Sequence, residues 1–201
     1  MTTCALDLAD PAGRYRAVAA VVIAAVGAAA FARGHLARAL ALVAPALAVG
    51  GIAWAAERGP AAPVLAALTF AVGFAAAALA ALARRLGAPG VAGAAVAALT
   101  LWTACGGLWW ADRAAMLVPP ARRGAIREAV LGADPLAATA YALGYDRLHA
   151  ADVYDETTIG STTVRAPDAR TTALAWALCG VAAGLGAGLV SRRRDGDGGA
   201  P

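Results

Sequence analysis

The sequence predicts an all-α integral membrane protein of about five transmembrane helices, with a mostly helical extramembrane segment between the fourth and the fifth. Three observations predict it. Of 201 residues, 61% are hydrophobic and only 15% charged, with a mean hydropathy of +0.65; a soluble domain carries about a quarter charged residues. The charges are clustered, which leaves long charge-free apolar runs. Arginines stand at the ends of those runs, where their stems can snorkel and anchor a helix at the interface.

The first run, Ala17–Ala32, lies between Arg16 and Arg33, behind a polar lead with Asp7, Asp10 and Pro11. Its larger side chains, Val18, Val21, Val22, Ile23, Val26 and Phe31, contribute about −2 to −4 kcal/mol to insertion at roughly −0.3 to −0.6 each. That margin is small, so this helix depends on its neighbours. Arg14, Arg16 and Ala30-Phe31-Ala32 also fit a cleavable signal peptide over 17–32. The acidic lead and the close second run favour a retained span.

The second run, Ala39–Ala56, contains Pro45 and Gly50-Gly51, and a proline there predicts a kink. The third, Gly59–Ala83, starts with Pro60 and Pro63, suited to a first helical turn, and ends at Arg84-Arg85. The fourth, Leu86–Ala111, closes in Trp109-Trp110. Residues 1–111 thus form a four-helix block. Residues 112–170 form the polar segment, 171–191 the fifth span, and 192–201 a basic, Gly- and Asp-rich tail expected to be disordered.

Within the fifth span, Thr171–Ser191, glycines recur as Gly180, Gly184 and Gly188. This GxxxGxxxG spacing predicts a face for close helix packing, within the bundle or against another copy.

The polar segment holds eight of the thirteen acidic residues and seven of the seventeen arginines. Pro119-Pro120 and Ala121–Leu131 predict one amphipathic helix, ended by Gly132 and Asp134-Pro135. A second is predicted from Pro135 to about Val153, interrupted at Gly144. Thr157–Val164 is rich in β-branched residues and suits a small hairpin. His149, Asp152, Asp155 and Glu156 are spaced so that several could share a helical turn, which makes them weak metal candidates. A solvated acidic face explains them as well, and no metal site is expected.

The arginines count almost equally on the two sides of a five-span topology. Those pressed closest to the membrane are Arg33, Arg38, Arg84-Arg85 and Arg192–Arg194. That side is read as cytoplasmic, with the C-terminus, which makes 112–170 extracytoplasmic in an inner-membrane protein.

Function is less legible. Cys4, Cys105 and Cys179 form no CxxC, and no GxSxG, phosphate loop or HExxH is present. His35, alone between spans one and two, is an interfacial histidine. No catalytic residue or cofactor is expected. A pI near 9.4 reflects anchoring arginines, so the partner implied is the lipid bilayer and not nucleic acid. The reading is a non-enzymatic structural or accessory subunit of a membrane complex. It would meet other subunits, or itself, through the Gly180–Gly188 face and through Tyr141, Tyr145 and Tyr154 of the segment. One alternative is a membrane enzyme with a metal in the loop. The other is an ion- or proton-conducting subunit using Thr100, Thr103 and Thr171. Pro120–Glu128 (PARRGAIRE) resembles polar segments of the MotA/TolQ/ExbB stator family. That resemblance implies a proton path lined by threonines with a carboxylate supplied by another subunit. It also implies a cytoplasmic loop, against the orientation read above.

Overall fold

The computed structural model describes residues 10–56, 58–146 and 167–197. They form α1 (Pro11–Phe31), α2 (His35–Ala55), α3 (Ala62–Arg85), α4 (Gly90–Cys105), α5 (Gly107–Met116), α6 (Arg123–Ala133), α7 (Pro135–Ala142) and α8 (Ala169–Asp197). Single 3-10 turns, Gly59–Ala61 and Pro120–Arg122, lead into α3 and α6. The all-α class is as predicted. Four helices are long and apolar enough to cross a membrane, five if α4 and α5 count as one bent span. The chain is a membrane-embedded protein.

The central helix is α3, which packs against α1, α2, α4 and α8. Its Leu65, Leu68, Val72 and Ala76 are fully buried. The first helix meets it with Val18, Val22, Val26 and Ala30, a four-residue repeat that keeps one stripe inward. Thus 17–32 is a wall of the core. Asp10 caps α1, accepting from Gly13 N–H at 3.0 Å, with Pro11 following. Helix α2 is one continuous helix through Pro45 and lies at the periphery; only Ala46, Val49 and Ala53 are buried.

The fourth run departs from the expected single span. Helix α4 has 16 residues, about 24 Å of rise, short of a ~30 Å hydrocarbon core. Between Gly90–Cys105 and Trp109–Met116 the axis turns by 85°. The bend falls at Gly106-Gly107, where Asp134 packs against the chain. A Cβ on Gly107 would lie 2.8 Å from the Cβ of Asp134 and 2.9 Å from its Oδ2, so only glycine admits that side chain. Helix α5 then pairs with α6, tied by an ion pair from Arg127 Nε to Asp112 Oδ1 at 2.7 Å. Trp109, Trp110, Met116 and Leu117 remain exposed on this amphipathic pair, the chemistry of a membrane–water interface.

The polar segment is helical as expected, but its α7 does not stand away from the bundle. Ala137, Ala138, Ala140 and Leu143 are buried, and α7 touches α1, α3, α4 and α8. A helix that is apolar all round has to be covered on all sides. It ends at Ala142, where Gly144 takes a φ of +73° and stops the helix in a left-handed turn, the interruption expected there; residues 147–153 of the expected second helix lie outside the described residues. At the other end of the chain, α8 continues through Asp197, so residues 192–197 of the tail expected to be disordered are helical.

Candidate functional site

The polar chemistry of the described residues gathers where α4, α6, α7 and α8 meet. Asp134 lies at its centre and is fully buried. It is the N-cap of α7: its Oδ1 accepts from Leu136 N–H at 2.8 Å and from Ala137 N–H at 3.2 Å. Pro135 at the first helical position needs no such partner. The chain before Asp134 ends α6, which leaves terminal carbonyls without helical donors. Two side chains of α8 supply them: Trp176 Nε1–H donates to Ala133 O at 2.9 Å. The Thr172 hydroxyl lies 2.8 Å from Gly132 O and 3.0 Å from Asp168 O, its single proton shared between them. This side-chain lattice fixes α6, α7 and α8 as one unit. Thr139 is also buried, and its hydroxyl finds no acceptor among the described residues.

Beside this lattice, a groove of about 500 Å³ is lined by Thr100, Thr103, Ala104, Gly107, Trp110 and Val130. Thr100 and Thr103 therefore do share one surface, and Gly107 carries that surface to Asp134. Their hydroxyls are engaged, each donating at 2.8 Å to the carbonyl four residues back, Val96 O and Leu99 O. Thr171 does not join them. Its hydroxyl donates to Asp168 Oδ2 at 2.7 Å and its N–H to the same oxygen at 3.1 Å, so it belongs to the cap of α8. Those bonds hold the Asp168 carboxyl below its ordinary pKa. Its contribution to stability is present above the unfolded value and is lost as the pH falls through the folded one.

The two tyrosines in the described part of the segment have different surroundings. Tyr145 meets Tyr15 of α1, ring centroids 5.3 Å apart at 32°. Tyr141 lines a groove of about 390 Å³ with Pro167, Asp168 and Arg170. Burial first, and then the charge of Asp146, pushes its phenol up from 10.0 to about 12. The unfolded chain therefore loses this proton first, and stability falls as pH rises from 10.0 to about 12. The chain contains no lysine, so few other groups titrate there. Tyr141→Phe is expected to flatten the alkaline fall of the thermal midpoint measured in detergent. An unchanged slope would show that Tyr141 ionises freely in the folded protein.

His149, Asp152, Tyr154, Asp155 and Glu156, with the predicted hairpin at Thr157–Val164, lie outside the described residues. Among those described, no group of three or more His, Cys, Asp or Glu could hold a metal. Cys105 is buried and Cys179 exposed, both free. The glycine stripe of α8 divides. Gly180 faces α3, where an added Cβ would lie 2.5 Å from Phe74 Cδ1 and 3.2 Å from Ala75 N. Gly184 and Gly188 face open space. Asp134 is the residue the sequence reading passed over, as a mere helix stop. The signal was there: an Asp-Pro pair opening an eight-residue apolar helix with no charge of its own.

No protein-family model, curated protein or solved structure matches the chain. The short likeness at Pro120–Glu128 accordingly carries no family assignment.

Proposed function

We propose that the chain is a non-enzymatic structural or accessory subunit of an inner-membrane complex, with α8 and the 112–170 segment as the surfaces offered to a partner. The observation that supports this most is the outer side of α8. Only 11% of its apolar window is buried within the chain, the least of the four long helices. Gly184 and Gly188 on that side leave backbone uncovered, and small residues at such positions let a second helix approach closely. Within the segment, Arg127 and Asp112 join α5 to α6, and the carbonyls of Gly132 and Ala133 accept from Thr172 and Trp176 of α8. The end carrying Arg33, Arg38, Arg84-Arg85 and Arg192–Arg194 is read as cytoplasmic, because its arginines lie closest to the spans.

Gly184→Leu combined with Gly188→Leu is expected to leave the thermal midpoint unchanged, since both positions are open. The same pair should shift the full-length protein to a smaller species on native gels of mild-detergent extracts. Unchanged migration would count against α8 as the docking face.

A second reading, an ion- or proton-conducting subunit, is favoured by one observation. A buried carboxylate, Asp134, lies behind the groove that carries Thr100 and Thr103. Ionisable groups at membrane depth commonly mark ion pathways. In this reading the acid comes from the same chain and not from another subunit.

A further inference from the structure

At the end of the bundle opposite Asp134, the C-termini of α1 and α3 meet the N-termini of α2 and α4 around a cavity of about 250 Å³. Its polar rim is made by Arg33, Arg38 and Arg84, and its apolar side by Phe31, Val91 and Ala94. Among the described residues, no acidic side chain lines it. None of the three arginines forms an ion pair among the described residues. The charges that act most on Arg84 are Arg38 and Arg33, both of its own sign.

Two of these arginines have an ordinary explanation. Arg33 follows the end of α1 and Arg84 lies in the last turn of α3, where cations answer the negative pole of a helix. Arg38 does not. It lies one turn inside the N-terminus of α2, at the positive pole, where a cation is unfavourable. The same N-terminus has no side-chain cap: its cap residue is Gly34, at a φ of +83°. Helix α4 also begins uncapped, after Pro89. Both helix starts line the cavity, α2 through its cap residue Gly34 and α4 through its first residue Gly90. Two uncapped helix N-termini and three guanidinium groups thus converge on one space, and both kinds of group select an anion.

We propose that this cavity binds the phosphate of an anionic lipid headgroup. The phosphate would be forked by Arg38 and Arg84 at the mouths of α2 and α4, with the acyl chains leaving along Phe31 and Val91. The exposed apolar residues continue from the rim down the outer faces of α2 and α4, through Leu36, Leu40, Val91 and Val96. A free phosphate satisfies the charge but not that path. Basic pockets between helices at a cytoplasmic surface are suited to anionic headgroups. The site stands whether or not α8 docks a partner.

The test uses purified full-length protein in a neutral detergent. Its thermal midpoint is followed while short-chain phosphatidylglycerol, phosphatidylcholine of the same chain length, or inorganic phosphate is added. A ligand that binds only the folded state raises the midpoint saturably. A saturable rise with phosphatidylglycerol and none with the other two is expected. A rise with inorganic phosphate equal to that with phosphatidylglycerol would overturn the lipid source and leave a free-anion site. Equal responses to the two lipids, whose phosphodiesters are alike, would overturn the selection of an anionic headgroup. Arg38→Gln should weaken the phosphatidylglycerol response about tenfold, the loss of one charge-assisted hydrogen bond. Arg85→Gln removes the same charge from the same end but lies outside the cavity lining, and should leave the response intact. Equal weakening by both variants would reduce the effect to general surface charge and sink the proposal. Arg38→Lys keeps the charge for insertion and loses the fork. An intermediate affinity from that variant supports the site, and a response as weak as that of Arg38→Gln from a folded, monodisperse sample also does. Full wild-type affinity from it would overturn the fork by Arg38.

Discussion

Gly180→Leu is expected to destabilise the bundle by about 1–3 kcal/mol or more, the range for overpacking a filled interface. A Cβ at this position would lie 2.5 Å and 2.7 Å from Cδ1 and Cε1 of Phe74, and 3.2 Å from the backbone nitrogen of Ala75. The Phe74 ring can turn aside, but the α3 backbone cannot, so α8 must lift away from the central helix. Lifting it also strains the bonds from Trp176 and Thr172 to the end of α6. Two consequences follow for measurement. The thermal midpoint in detergent should drop clearly for Gly180→Leu, and by less for Gly180→Ala, whose single Cβ turns the ring aside and displaces the Ala75 backbone by only a few tenths of an ångström. Gly184→Leu on the same helix should leave it unchanged, because nothing lies within 4 Å of that position. Equal losses at 180 and 184 would mean that glycine content, and not the contact with α3, sets the stability of α8.

That contrast shows why the glycine stripe was only partly legible. Positions four apart advance about 40° beyond a full turn around a helix of 3.6 residues per turn. Over Gly180, Gly184 and Gly188 the drift carries the last two out from under α3. The buried positions follow Thr172, Gly180 and Ala183, a mixed spacing that returns to one side. The spans themselves were readable because a charge-free apolar run has few other uses. The break in the fourth was not. Gly50-Gly51 and Gly106-Gly107 look alike in sequence, yet α2 continues unbroken through the first pair while the axis turns by 85° at the second. What differs is Asp134, remote in sequence, packed against Gly107. Helix α7 was half readable: Asp134-Pro135 marked its start. The all-round apolar surface of Pro135–Ala142 should have indicated burial.

Asp134→Ala and Asp134→Asn separate the two roles that a buried carboxylate can have here. Alanine removes the acceptor for Leu136 and Ala137 N–H, a loss worth about 0.5–2 kcal/mol at an N-cap. Both amides belong to a helix start packed among α4, α6 and α8, where water cannot replace the lost bonds at low cost. Asparagine keeps a carbonyl oxygen at the Oδ1 position and fills nearly the same volume. A structural Asp134 therefore predicts a lower thermal midpoint for alanine, a near-normal one for asparagine, and no functional change in the asparagine variant. A conducting Asp134 predicts something asparagine cannot hide, because an amide does not carry the proton. Proton flux into liposomes should then be present in the wild type and abolished in Asp134→Asn, while the midpoint stays near normal. Flux that survives asparagine would remove Asp134 from any path and leave it as the lock of the α6–α7 junction. Asparagine as destabilising as alanine would place the stabilisation in the charge of the carboxylate and not in its cap geometry.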